Sequence, residues 1–313
     1  MCKLRWGLFL VLGFVLTASA SAVTGSCSIP LQLRRGVPFV RVMLNGRGPY
    51  TFAVDTGTSR QAIVSPTLVK ELKLPLVGST RLVDLTGKSG RTVDEVLVDD
   101  VELPGRAFHS VRAMVHKPLT TLGAYDGVLG FALFREMVLT LDFPRRCLRL
   151  DDTGLTTGSD LDVLPFSTPR NVPVVALTIG KQNVLAQIDS GGGGINLPGS
   201  ADSPVEFAAH TQVPVRAQSQ SSNFLLRGGV MKGEIALGGH VFRQPFVEVS
   251  EEIPVGNLGA LSLQDFAVTF DQAQGLVRFQ AARKVHRMNR DRLDEGRREQ
   301  TDCGRGTECE GGS

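Results

Sequence analysis

Two short tripeptides in this 313-residue chain contain the residue types that acid–base chemistry requires. Asp55-Thr56-Gly57 and Asp189-Ser190-Gly191 each follow an apolar, strand-like run, and each opens one half of a chain that repeats itself. Two carboxyl groups held close together cannot both ionise easily, so one keeps its proton at moderately acidic pH. The ionised one then takes a proton from a water held between them, while the protonated one donates to a substrate carbonyl. The pair therefore predicts hydrolysis of an amide with no metal, no cofactor and no covalent intermediate.

The neighbours of the two aspartates fit this chemistry. Gly57 and Gly191 carry no side chain, so they allow the two carboxyl groups to approach each other closely. The hydroxyls of Thr56 and Ser190 are expected to bond to neighbouring backbone and so to hold each turn in place.

The two halves of the chain match each other at both ends, which indicates an internal duplication. With Asp55 aligned on Asp189, the preceding strand-like runs match without a gap. Further along, the segment 138–150 mirrors the segment 267–279 almost strand for strand. The duplication places the two aspartates at equivalent positions, one in each half.

The elements around the first aspartate can be predicted from local patterns. Ser65 followed by Pro66 is typical of a helix N-terminus, with the serine as N-cap and the proline at the first helical position. Strand-like runs at 81–85 and 92–98 flank a segment that contains Gly87 and Gly90. This arrangement predicts a β-hairpin with a mobile tip.

Together these features resemble the bilobal pepsin-like aspartic proteases, in the form of a compact bacterial relative with retropepsin-like lobes. The similarity rests on Asp55-Thr56-Gly57-Thr58-Ser59 and on Asp189-Ser190-Gly191. It also rests on an apolar-apolar-Gly element in each half, Val128-Leu129-Gly130 and, in part, Asn257-Leu258-Gly259. The resemblance covers roughly residues 30–280.

The resemblance implies an all-β acid protease fold of two duplicated, six-stranded, barrel-like lobes with the active cleft between them. It implies that Asp55 and Asp189 form the catalytic pair, with the Thr58 hydroxyl supporting the first carboxylate. The hairpin with Gly87 and Gly90 would be the flap over an extended peptide substrate. The implied function is that of a secreted or periplasmic aspartic endopeptidase acting on peptides or proteins.

Three features depart from the family pattern. Gly192 stands where the family has a Thr or Ser after the second turn, so Asp189 is expected to lose a hydrogen bond. Asn257 replaces the usual apolar residue of the supporting element, and the predicted flap contains no tyrosine. These departures keep open an alternative function, a catalytically degenerate peptide-binding or interaction protein on the same fold.

A serine protease is a further alternative, because Asp189-Ser190-Gly191-Gly192 resembles the nucleophile loop of trypsin-like enzymes. That family needs a histidine and an aspartate earlier in the chain. His109 and His116 precede the serine but lack the small-residue context of that family, so the aspartic interpretation is favoured.

The sequence divides into five segments. They are a signal peptide at 1–22, an N-terminal lobe at 28–150, a linker at 151–159, a C-terminal lobe at 160–283 and a charged, disordered tail at 284–313. A retained N-terminal membrane anchor is the less favoured alternative to signal cleavage. Four cysteines remain once the signal peptide is removed: Cys27, Cys147, Cys303 and Cys309. Cys303 with Cys309 would close a small loop and leave Cys27 with Cys147, but spacing does not fix the pairing.

Charge and hydropathy restrict the possible partners. The formal net charge is +3, and it falls to about +1 once the signal peptide is removed. Nothing in this balance indicates nucleic-acid binding. The apolar run at 6–16 is short for a membrane span, and we expect no span after signal removal. A monomer is expected, and no cofactor is implied.

Overall fold

The computed structural model describes residues 27–282, except 84–88, 118, 157–160, 201 and 219–222. The predicted signal peptide and tail lie outside the described residues, as do Gly87, Cys303 and Cys309. The fold is almost entirely β, which confirms the predicted all-β class.

The described part of the first half contains eleven strands and a short helix. The strands are β1 (Ile29–Pro30), β2 (Gln32–Arg34), β3 (Val37–Leu44), β4 (Arg47–Asp55), β5 (Ala62–Val64), β6 (Leu76–Val83), β7 (Ser89–Leu103), β8 (Arg106–Val115), β9 (Gly127–Gly130), β10 (Val138–Asp142) and β11 (Cys147–Asp151). Helix α1 spans Pro66–Leu72, and 3-10 turns span Thr120–Leu122 and Phe131–Phe134.

The second half follows the same plan, with twelve strands among its described residues. They are β12 (Val163–Pro165), β13 (Val174–Ile179), β14 (Gln182–Asp189), β15 (Ile195–Pro198), β16 (Val213–Gln218), β17 (Asn223–Val230), β18 (Glu234–Leu237), β19 (His240–Arg243), β20 (Phe246–Ser250), β21 (Gly256–Gly259), β22 (Phe266–Asp271) and β23 (Leu276–Ala281). A 3-10 turn spans Pro169–Asn171, and helix α2 spans Ala260–Leu263.

Each lobe positions its aspartate at the end of a strand that pairs in parallel with a short, buried strand. In the first lobe β4 runs parallel to β9, and Asp55 lies opposite Gly130. In the second lobe β14 runs parallel to β21, and Asp189 lies opposite Gly259. Strands β5 and β15 then pair antiparallel with β9 and β21. The two lobes thus repeat the same local pairing around their aspartates.

A six-stranded sheet joins the two lobes, in the order β1-β11-β10-β22-β23-β12. At its centre β10 and β22 pair antiparallel, with Thr140 opposite Thr269. The two hydroxyls hydrogen-bond across this seam at 3.0 Å. Because a continuous buried core also includes side chains from both halves, the lobes are held in a fixed relation to each other.

The lobe sheets are larger than the six strands expected of each. Counted over the described strands, the first lobe has an eight-stranded sheet and the second a nine-stranded one. Hairpins account for most of the difference, because β6–β7 adds two strands at one edge of the first sheet and β16–β17 adds two at one edge of the second. In the described part of the chain, no helix has the length and apolar character to cross a membrane.

A disulfide joins Cys27 to Cys147 across 120 residues, with their Cα atoms 5.5 Å apart. It ties the start of the first lobe to the seam sheet, where β1 pairs with β11. The bond therefore closes a loop that contains most of the first lobe.

Replacing both cysteines with serine is predicted to lower the free energy of unfolding by about 3–5 kcal/mol, since the closed loop is long. Urea unfolding with and without reductant measures this. Reductant should destabilise the wild-type protein and leave the double variant unchanged. Equal stability of the two proteins under oxidising conditions would contradict the prediction.

Candidate active site

The two aspartates lie side by side where the lobes meet. A Cβ atom built on Gly57 would lie 2.5 Å from the Asp189 carboxyl carbon, and one built on Gly191 would lie 2.3 Å from that of Asp55. Real Cβ atoms do not approach other atoms so closely, so only glycine fits at either position. Each turn glycine therefore packs against the carboxyl group of the other lobe, and the two carboxyl groups themselves are within hydrogen-bonding reach.

Crossed hydrogen bonds lock the two turns together. The amide of Thr56 donates to the Ser190 hydroxyl, and the amide of Ser190 donates to the Thr56 hydroxyl, both at 3.0 Å. Each hydroxyl then donates across the interface at 2.7 Å, from Thr56 to the Ile188 carbonyl and from Ser190 to the Val54 carbonyl. The hydroxyls thus bond to backbone, and that backbone belongs to the opposite lobe.

The environment of Ser190 does not suit a nucleophile. Its side chain has no exposed surface, and its hydroxyl proton is committed to the Val54 carbonyl. No cluster of three His, Cys, Asp or Glu side chains within the described residues could hold a metal ion.

Asp55 is supported on both carboxyl oxygens. The Gly57 amide donates to Oδ1 and the Thr58 hydroxyl donates to Oδ2, each at 2.8 Å. Both oxygens of the first carboxyl group are therefore held in place by hydrogen bonds from the turn that follows it.

Asp189 has a different set of partners. The amides of Gly191 and Gly192 donate to Oδ1 at 3.0 and 2.9 Å. Oδ2 faces the side-chain amide of Gln187 at 3.5 Å, a long and therefore weak contact. Among the described contacts, the second carboxyl group receives its firm hydrogen bonds from the protein backbone on one oxygen only.

Burial raises the pKa of Asp189 well above its usual value, and the nearby charge of Asp55 and a hydrogen bond to that residue raise it further. The Gly191 and Gly192 amides oppose this rise. Burial and the neighbouring negative charge thus both disfavour the ionised form of the Asp189 carboxyl group.

The glycine-rich loop after Asp189 is held in place by backbone hydrogen bonds. The carbonyl groups of residues 192–194 accept from the amides of residues 259–261 at 2.9 to 3.0 Å. A Cβ on Gly259 would lie 2.2 Å from the Gly193 carbonyl oxygen, which requires glycine there. A run of glycines favours a flexible loop, and these bonds constrain it.

The predicted flap corresponds to the β6–β7 hairpin. Gly90 lies within β7 and not at the tip, because the strand already begins at Ser89, while Gly87 lies outside the described residues. Arg60, just beyond the first aspartate turn, donates to Thr80 on β6. On β7, Arg91 contacts the His116 ring at 3.0 Å. These contacts link both flap strands to the body of the first lobe.

Sequence reasoning missed one residue of the site, Gln187, and the burial of Tyr125. Gln187 contacts Asp189 as described above. Tyr125 packs edge-on against Phe39, and its hydroxyl accepts from the Leu119 amide at 2.8 Å. Burial raises the pKa of Tyr125. For Gln187, the available signal was a polar residue within an otherwise apolar run.

Residues 40–133 match a family model described as aspartyl protease. The match includes the first aspartate turn and the supporting strand β9, and it lies wholly within the first half of the chain. A search of curated proteins found no match. The family match supports an aspartyl protease family and a protease-like function for the chain.

Proposed function

We propose that this chain, whose first half matches the aspartyl proteases, is an aspartic endopeptidase with Asp55 and Asp189 as its water-activating pair. The observation that supports this most directly is the mutual fit of the two turns, with each glycine packed against the opposite carboxyl. A single capped turn has no need of such a fit. Thr56, Ser190 and Thr58 support the pair.

The two carboxyl groups would divide the chemistry between them. Asp55 takes a proton from a water bound between the carboxyls, and the water oxygen attacks the peptide carbonyl carbon. Asp189 gives its proton to the carbonyl oxygen, so the tetrahedral intermediate forms without free charge on that oxygen. The proton held by Asp55 then passes to the leaving nitrogen, the C–N bond breaks, and Asp189 recovers its proton from the intermediate. This division of roles follows the logic established for aspartic proteases generally.

The proposed substrate is an extended peptide or an unfolded segment of a protein. The β6–β7 hairpin supports this, since a peptide lying under it would add a strand through main-chain hydrogen bonds. The side chains that face such a peptide would set its specificity.

We further propose that the protein works as a secreted or periplasmic monomer. The Cys27–Cys147 disulfide supports an oxidising compartment, in keeping with the signal peptide predicted at 1–22. A monomer is proposed because one chain supplies both carboxyl groups.

The test is cleavage of an unstructured polypeptide by the purified mature protein between about pH 3 and about pH 8. We expect a bell-shaped profile, because activity needs one proton on the pair. Since the pKa of Asp189 is raised, the alkaline limb should lie well above the pH at which an ordinary aspartate ionises. A transition-state mimic of the pepstatin type should inhibit. Binding of peptide without cleavage at any pH would favour the non-catalytic alternative.

A further inference from the structure

The two halves differ at the position that follows each aspartate turn. In the first lobe the Thr58 hydroxyl donates to Asp55 Oδ2 at 2.8 Å. The duplication aligns Thr58 with Gly192, which has no side chain to donate to Asp189. A hydrogen bond to Oδ2 of Asp189 must therefore come from a different residue in the second lobe.

A pair of buried amides lies beside that oxygen. Gln187 is 8% exposed and Asn257 is 2% exposed. The Gln187 side-chain nitrogen donates to Asn257 Oδ1 at 2.8 Å and faces Asp189 Oδ2 at 3.5 Å. Buried amides are costly without partners, so their pairing here fixes the orientation of both side chains.

The amide pair is specific to the second lobe. Gln187 aligns with Ala53 and Asn257 with Val128, both of which are apolar. A duplication that started from equal halves has therefore diverged at three positions around one carboxyl: two carry amides in the second lobe only, and one carries a side chain in the first lobe only.

Steric geometry links these three positions. A Cβ atom on Gly192 would lie 2.6 Å from Asn257 Nδ2 and also 2.6 Å from Asp189 Oδ2. The backbone of Gly192 is outside the left-handed region, so crowding and not strain is what demands glycine. A side chain at 192 and the Asn257 amide exclude each other, and the amide occupies the space beside the carboxyl.

We propose that Gln187 and Asn257 are positioning residues, whose amide pair takes over in the second lobe the support that the Thr58 hydroxyl gives in the first. This rests on the proposed function, because positioning matters only where the carboxyl reacts. Asn257 orients Gln187, and Gln187 restrains Oδ2 of Asp189.

Because the amide pair stands in the second lobe where Thr58 stands in the first, the two carboxyl groups have different hydrogen-bond donors. The donor to Asp189 Oδ2 lies at 3.5 Å, whereas the donor to Asp55 Oδ2 lies at 2.8 Å. A longer donor stabilises the ionised form less, so the two carboxyl groups receive unequal support on Oδ2. Asp55 is the charged group that faces Asp189 among the described residues, and Tyr125 lies near Asp55 as a neutral phenol.

The first experiment replaces the amides with apolar residues of similar size, Gln187→Leu and Asn257→Val. Each variant should lower kcat by about five- to tenfold with KM within about twofold. Gln187→Leu removes the donor to Asp189 Oδ2, and Asn257→Val removes the acceptor that orients that donor. The alkaline limb of the pH profile should move upward, because removing a donor disfavours the ionised form of Asp189. The matched control is Asn196→Leu, which removes a buried amide from the strand paired with Asn257 and touches neither carboxyl.

The comparison with the control decides the outcome. Single variants whose pH profiles and kcat values match those of Asn196→Leu would overturn the proposal.

A titration that needs no turnover keeps this inference distinct from the proposed function. The protein is labelled with ¹³C at aspartate side-chain carboxyls, and the higher of the two coupled titrations is followed in wild type and in Gln187→Leu. An upward shift supports the positioning role even if no substrate is cleaved. An unchanged titration in a folded variant overturns it even if the wild-type protein is an active protease.

Discussion

Replacing either Asp55 or Asp189 with asparagine is expected to reduce kcat for peptide cleavage by about 10³-fold or more, with little change in KM. Asparagine keeps the shape of the side chain, but its carboxamide neither accepts nor gives up a proton as a carboxyl group does. Since the proposed mechanism passes protons through both carboxyls, loss of one removes water activation or carbonyl protonation. Initial rates on a quenched fluorescent peptide, measured across the pH range, provide the test.

Asp202→Asn is the matched control, because Asp202 is an exposed carboxyl in the segment that follows β15. It should cleave at the wild-type rate. Cleavage that survives in both Asp55→Asn and Asp189→Asn would rule out the carboxyl pair. Loss in only one would assign the chemistry to a single carboxylate and would contradict the shared-proton mechanism.

The stability of Asp189→Asn shows whether lost activity could come from misfolding. The pKa of Asp189 is raised in the folded state above its ordinary value of 3.8, so the folded protein binds more protons between those two pKa values. Stability therefore falls as pH rises through this window and stays lower above it. Near neutral pH the variant, which has no such carboxyl to ionise, should accordingly melt at a higher temperature than wild type. Below the ordinary pKa, where both states are protonated, no gain is expected.

The features of the site that depend on short stretches of sequence could be predicted. The two aspartate turns, their glycines and the duplication identify the pair, because a turn tripeptide after an apolar run is readable within about ten residues. Helix α1 is another example, since Ser65 caps it by accepting from the Leu68 amide at 3.1 Å and Pro66 is its first residue. The all-β class follows from strand-like runs throughout both halves.

Other features depend on contacts between distant residues. Gly192 predicts an under-supported Asp189, but it does not reveal Gln187, since a glutamine in a strand usually faces solvent. The burial of Gln187 depends on Asn257, which lies 70 residues further along and provides the hydrogen-bond partner. The Cys27–Cys147 pairing is likewise one of several possibilities until the pairing of β1 with β11 brings the two residues together.

The number of strands in each sheet also depends on contacts between distant residues. Short alternating runs predict strands but do not indicate which of them join one sheet, because register and neighbours are set by tertiary pairing. In the described part of the chain the lobe sheets therefore contain eight and nine strands, where six each were expected. The six-stranded sheet in this fold is the one shared between the lobes.

Gly191→Ala is expected to lower kcat by at least about 100-fold while the protein remains folded. The new methyl group would lie 2.3 Å from Asp55 Cγ and 2.5 Å from Oδ2, so the carboxyl must move away from its partner. A displacement of about 1 Å at a reacting group is enough for a loss of this size. Gly57→Ala should behave alike, because its methyl group would meet Asp189 Cγ at 2.5 Å. Steady-state kinetics and urea midpoints on the same samples separate activity from stability.

Gly193→Ala is the matched control for Gly191→Ala. It makes the same chemical change two residues further along, where a Cβ atom would meet nothing within 4 Å and the backbone is outside the left-handed region. Any general effect of losing a glycine from the loop should appear in this variant too, and we expect it to keep wild-type kcat within about twofold. If Gly191→Ala and Gly193→Ala were equally active, the two carboxyls would not need to touch, and a reaction that depends on their sharing one proton could not be the function of this site.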